Sequence, residues 1–343
     1  MNTLRFYFNV LTVLVFMGCH GDHNLKDGQS FNQFPEEENL SPENFIEFSK
    51  GKITSILFFD TLLLARNSKK TVKNYFIYSY NMKNKMLVDS LFKLGSEKNE
   101  ILTPFSAGLV KDNFWVRDVS TMKVVVENLK MPKNFNEFQL KLPLYAIQIN
   151  DSLQIYGNGD YEKETKIQQI DLRSGKVLKA FGKYDKTPTG IPAMSWRTAN
   201  ESFLFLKPNQ KMLVSAYRYT DKIEIFDLAT LKSKVISGPE SFNIEFKPMQ
   251  FHGKDIMERV EGTRFAFVGG HMTDKYIYLL YSGNKHMSEH VDFGKSIFVY
   301  DWDGNPIRKI NLPNYVSCFA VKDDKELYVF DVDAHYIKKA NLN

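Results

Sequence analysis

The chain has 343 residues, of which 43% are hydrophobic and 14% aromatic, and a formal net charge of +5. That length can bury a large core without covalent staples, and the mild basic balance gives no reason to expect nucleic acid as a partner. With two cysteines, Cys19 and Cys318, a disulfide framework is excluded.

The first 18 residues carry one basic residue, Arg5, then an apolar run over 6–17 and Gly18 ahead of Cys19. The run is short for a membrane span and has the layout of a secretory signal. A small residue directly before a cysteine resembles the lipobox of bacterial lipoproteins, although Phe16 stands where that motif usually has Leu. Residues 1–18 are therefore expected to be a lipoprotein signal peptide and Cys19 the lipidated N-terminus; an ordinary cleaved signal and an uncleaved anchor are the alternatives. Residues 19–44 are polar, rich in turn formers and marked by the acidic run Glu36 to Glu38. So little apolar surface predicts a flexible tether with a solvated acidic patch.

From residue 45 to the end, one pattern recurs. "SFLFLKPNQKMLVSAYRYTDKIEIFDLATLKSKVISGP" divides into strands at 202–206, 212–217, 222–227 and 232–236, separated by clusters of Pro, Asn, Asp and Thr. The closing hairpin of this meander returns in "KIQQIDLRSGKVLKAFGK" and "SIFVYDWDGNPIRKINLP", and more loosely in "YFIYSYNMKNKMLVDSLFKLG" and "TMKVVVENLKMPKNFNEFQLKLP". Six such units fit the chain, a period that marks a repeat architecture. Their strands are rich in Ile, Val, Phe and Tyr without strict alternation, as expected when both sheet faces are covered. Cys318 falls in such a strand, where a free thiol acts as a small core hydrophobe. The last unit supplies three strands before the chain ends, so "NFIEFSKGKI" is expected to add the fourth by pairing 45–49 with "HYIKKANL". This closure removes the exposed edge of an open array and gives an all-β, six-bladed β-propeller of four-stranded antiparallel blades.

The repeated I-x-x-Y/F-D strand, the "VKDDKELYVFD" inner pair and the lipoprotein leader together resemble the TolB-like six-bladed propeller lipoproteins of Bacteroidetes over nearly all of 45–343. The resemblance implies a cell-envelope or outer-membrane propeller, lipid-anchored and serving as a binding module. It carries over no catalytic residue.

In a four-stranded blade the first-to-second and third-to-fourth connections share one rim, and these are short here. The opposite rim receives the long segments 183–201, 239–262 and 282–295. Long loops on a rigid scaffold are where binding residues concentrate. The expected ligand-binding residues on this second rim are Tyr184, Trp196, Arg197, Phe242, Phe246, Phe251 and Arg259, aromatics beside cations that suit a peptide, a glycan or another protein. His252, His286 and His290 lie on the same rim and offer an alternative, a metal site for a hydrolase or lyase, although "HMSEH" lacks the zincin order. "DWDG" reads as a hairpin turn, since the later ligands of a calcium loop are missing. No dinucleotide loop or nucleophile elbow occurs, and no cofactor is expected. The inner strands "ILFF", "SAGLV", "YAIQI", "FLFL", "FAFV" and "CFAV" offer few polar groups to a channel-mouth enzyme site, which favours binding over catalysis.

Overall fold

The computed structural model describes residues 28–68, 75–131 and 133–342; the signal, Cys19 and the basic pair Lys69 and Lys70 lie outside them. Three strands precede the repeats: β1 (Gln29–Ser30), β2 (Glu36–Asn39) and β3 (Glu43–Glu47). Blade one then contains β4 (Ile53–Phe59), β5 (Leu62–Asn67), β6 (Tyr75–Asn81) and β7 (Leu87–Lys93), and blade two β8 (Pro104–Val110), β9 (Asn113–Asp118), β10 (Lys123–Asn128) and β11 (Phe135–Gln139). Blade three is β12 (Ile147–Ile149), β13 (Gln154–Gly157), β14 (Thr165–Asp171) and β15 (Val177–Lys183). After helix α1 (Ala193–Ala199) comes blade four, with β16 (Ser202–Leu206), β17 (Met212–Tyr217), β18 (Lys222–Asp227) and β19 (Ser233–Ser237). A separate hairpin, β20 (Phe246–Phe251) and β21 (Lys254–Arg259), leads to β22 (Phe267–Met272), β23 (Tyr276–Tyr281) and β24 (Gly294–Asp301) of blade five.

The long strand β25 (Pro306–Lys322) serves two blades. Its first half is the outer strand of blade five, and its second half is the inner strand of blade six, which continues with β26 (Glu326–Asp331) and β27 (Tyr336–Asn341). The crossing falls at exposed Pro313 and Asn314, where a missing N–H breaks no ladder. β3 completes blade six antiparallel to β27, with Ile46 opposite Ile337 and Phe48 N–H donating to His335 O at 2.8 Å. The inner strands β4, β8, β12, β16, β22 and β25 neighbour one another in that order and return to β4, so the ring is closed.

The described residues form six apolar clusters, one between each pair of adjacent blades. On β10, Val124 and Val126 face blade three while Val125 faces blade one. This is the period of two expected of a strand covered on both faces. Cys318 packs in the cluster between blades six and one, and burial pushes its thiol up to about 12.

The recurrent Asp or Asn at the end of the third strand closes the turn to the fourth. Asn81, Asn128, Asp171, Asp227 and Asp301 each accept main-chain N–H groups from that turn, at 2.8–3.2 Å. In the "DWDG" hairpin, Asp301 is occupied by Asn305 in this way, and Gly304 sits at φ +80°, where an added Cβ would meet Ile236 Cδ1 at 2.6 Å. Blade six needs no such turn because its fourth strand arrives from the other end of the chain.

The stretch 28–44, expected as tether, is instead paired to the propeller where it is described. β1 runs parallel to β19 at the outer edge of blade four, and β2 runs parallel to the first half of β25 at blade five. Phe34 is buried between these blades, with its ring 4.9 Å from Phe31, 4.8 Å from Phe298 and 5.6 Å from Tyr300. Within the acidic run Glu36 and Glu37 stay exposed, as expected, but Glu38 meets Arg308 at 3.0 Å with both side chains largely covered. Two free edge strands offered unpaired N–H and C=O groups, and two phenylalanines three residues apart supplied the apolar grip.

Candidate functional site

Two of the three long segments on the second rim are ordered elements. In 183–201, Pro192 precedes α1, and in 239–262 the hairpin β20–β21 turns at His252 and Gly253, both at positive φ. The helix and hairpin are locked together. Ser195 Oγ donates to Ile256 O at 3.1 Å and Thr198 Oγ1 accepts from Met257 N–H at 2.8 Å, two hydroxyls three residues apart on one helix face.

Between them opens a cleft of about 580 Å³. Its walls include Pro188, Ile191, Trp196, Ile244, Phe246 and Val260, with Glu245 and Lys247 as charged members. The rings of Trp196 and Phe246 lie 6.3 Å apart, and the indole N–H donates to Asp185 O at 3.2 Å, which holds the ring in place.

The other expected binding residues do not share this cleft. Arg197 donates to the carbonyls of Tyr161 and Glu162, both at 3.2 Å, tying the helix to the loop of blade three. Tyr184 is half-buried beside Lys166, and burial raises its hydroxyl above the ordinary range. Phe242 packs on the cluster between blades four and five under the Arg264 guanidinium, 4.3 Å from its ring. Phe251 and His252 stand exposed at the hairpin tip, ring against ring at 4.2 Å. Arg259 is exposed over Phe265 at 5.8 Å.

The three histidines are engaged separately. His286 stacks with Phe265 at 6.3 Å, His290 stacks on Tyr315 at 4.2 Å, and His252 is at the hairpin tip. The segment holding "HMSEH" is a series of turns, so no helical face aligns His286 with His290. Among the described residues no group of three or more His, Cys, Asp or Glu could hold a metal ion.

A second set of residues lies on the same rim, running from blade one to blade five. Arg218, just past β17, donates to Glu201 Oε1 at 2.9 Å, Tyr145 Oη at 2.9 Å and Asp292 Oδ1 at 3.0 Å, and lies over Phe265 at 5.0 Å. Tyr145 continues the contact to Phe105 at 5.1 Å and Phe203 at 6.0 Å. Arg117 donates to Tyr145 O and lies over Phe105, while Arg66 donates to Phe105 O. Inspection of inner strands alone misses these arginines, because they sit on or just after the second strands. The available signal was the basic residue ending the apolar runs "LLLAR", "NFWVR" and "LVSAYR" in three units.

Residues 54–324 match the family model described as TolB-like 6-blade propeller-like. Among solved structures, the chain is similar to a protein of Bacteroides fragilis described as exported, with 13% identity and a TM-score of 0.53 over 86% of this chain and 88% of that one. It is also similar to the Cps50 (Swd1) β-propeller domain of Myceliophteria thermophila, with 12% identity and a TM-score of 0.50 over 88% of this chain and all of that one. At such identities the likeness is one of fold. No curated protein matches the chain.

Proposed function

Because the chain belongs to the TolB-like 6-blade propeller-like family, we propose that it is a cell-envelope lipoprotein, anchored through Cys19 at the outer membrane, whose propeller is a non-catalytic binding module. The ligand is an extended peptide, a glycan strand or a segment of an envelope protein, received in the Trp196–Phe246 cleft. One observation carries this reading: two insertions from different blade junctions brace each other and hold an aromatic-walled cleft open on the long-loop rim. A concave, mostly apolar site with a few polar groups is the usual form of a ligand pocket. The exported Bacteroides fragilis neighbour agrees with an envelope location, and no helix among the described residues is long and apolar enough to cross a membrane.

Tryptophan fluorescence tests the cleft directly. Trp115 and Trp302 are buried, and Trp196 is the half-exposed indole. Titration of the full chain with soluble muropeptides and with a library of extended decapeptides should give a saturable change in emission from at least one ligand class. Trp196→Phe removes the signal, and Phe246→Ala weakens binding at least tenfold as a central aromatic anchor. An absence of response to both classes, or affinity by calorimetry that is indifferent to Phe246→Ala, would sink the proposal. Cys19→Ser shifts the protein from the membrane to the soluble fraction if the anchor is as proposed.

A further inference from the structure

Arg66 and Arg117 hold the same place in consecutive blades. Each lies on a second strand opposite a serine, Ser55 and Ser106 respectively, just beyond a register shift of the inner strand. Each sends Nη1 across to a main-chain carbonyl ahead of or within the next blade's inner strand, Phe105 O for Arg66 and Tyr145 O for Arg117. The arginines that pair with a carboxylate among the described residues are Arg218, Arg264 and Arg308, and these two are not among them. Arg117 is 3% exposed, and the Nε atoms of both residues are shut away without a hydrogen-bond partner.

As simple ties between blades, these residues are poorly chosen. A buried guanidinium gives up hydration that one or two carbonyls do not replace, whereas a glutamine could reach a carbonyl without burying a charge. Burial pulls both groups down to about 10, in keeping with a positive charge that has no counter-charge beside it. Arg218 shows the contrast: on the same rim it is matched by Glu201 and Asp292. Phe105 links the unmatched pair, its carbonyl bonded to Arg66 and its ring 5.7 Å from the Arg117 guanidinium. Arg66 and Phe105 are each partly exposed, whereas Arg117 is covered.

We propose that the second rim, between blades one and three, holds an oxyanion site in which Arg117, with the partly exposed Arg66, takes the carboxylate or phosphate group of a small ligand whose body lies against Phe105 and Tyr145. The planar fork of arginine suits either group through paired N–H donors. This site is separate from the rim cleft and does not depend on the function proposed for it.

Thermal-shift titrations of the full chain with benzoate, citrate and inorganic phosphate, at ionic strength matched with NaCl, test the proposal. At least one oxyanion should raise Tm saturably by several degrees. A response to benzoate or citrate alone assigns a carboxylate ligand, and a response to phosphate alone assigns a phosphorylated one. In Arg117→Gln and Arg66→Gln the midpoint should move at least tenfold, while the unliganded Tm holds or rises because an unmatched buried charge has gone. A wild-type protein indifferent to all three probes overturns the proposal. So does a response that both variants retain unchanged. If Arg117→Gln fails to fold, the wild-type titration and Arg66→Gln still decide.

Discussion

His271, on the inner strand of blade five, is held far from its ordinary acidity. Burial lowers it from 6.5 to about 4, with Asp324 and the Val321 backbone pulling weakly the other way. The folded protein thus keeps the ring neutral while the unfolded chain takes up a proton near 6.5. Below that pH the unfolded state binds more protons, so this residue's contribution to stability is full above about 6.5 and is lost as pH falls towards 4. The full loss is roughly 3 kcal/mol at about 1.4 kcal/mol per pKa unit. Urea midpoints at pH 7 and pH 4.5 should therefore fall further apart in the wild type than in His271→Gln; parallel behaviour would contradict the assignment. At this scale the sequence was legible where the chemistry is local. The Asp that ends "KIEIFD" acts within its own turn and could be read from its neighbours. Arg66 and Arg117 act on the next blade, some 28 to 39 residues away, and no local pattern announces that partner.

Among the elements, the strands were the most readable, because each alternates its apolar side chains between two interfaces and ends at a turn with a specific hydrogen-bonding residue. The expected strands at 202–206, 212–217 and 222–227 coincide with β16, β17 and β18. The second-rim insertions were read by position and length, but α1 and the β20–β21 hairpin owe their order to each other rather than to strong local signals. The N-terminal strap was misread because composition sums over a segment, while docking needs only a few residues at the right spacing. Phe34 tests the difference. If the strap is integral, Phe34→Ala removes a ring buried between blades four and five and lowers stability by about 3 kcal/mol or more, measured as a shift in denaturant midpoint. A tether would register no change.

For the whole molecule, the strand that the last unit lacks is β3, which enters blade six only two residues from the expected start and closes the ring. The ring makes the two ends of the chain interdependent. A chain ending at Asp331 lacks β27, leaves β3 without its partner and exposes the cluster that Ile46, Phe48 and Ile337 share. That truncation should abolish the single cooperative thermal transition, and a synthetic peptide covering 332–343 should restore part of it when added in trans. A truncated protein with an unchanged melting curve would mean that blade six is not what holds the ring.

The closure by β3 and β27 also sets an order of events during synthesis. Glu47 and Tyr336 lie about 290 residues apart, so at about 5–20 residues per second the first strand waits roughly 15 to 60 s for its partner to be made. Until then the pairing that closes the ring cannot form, and any chain released before residue 336 lacks it in whichever compartment it folds.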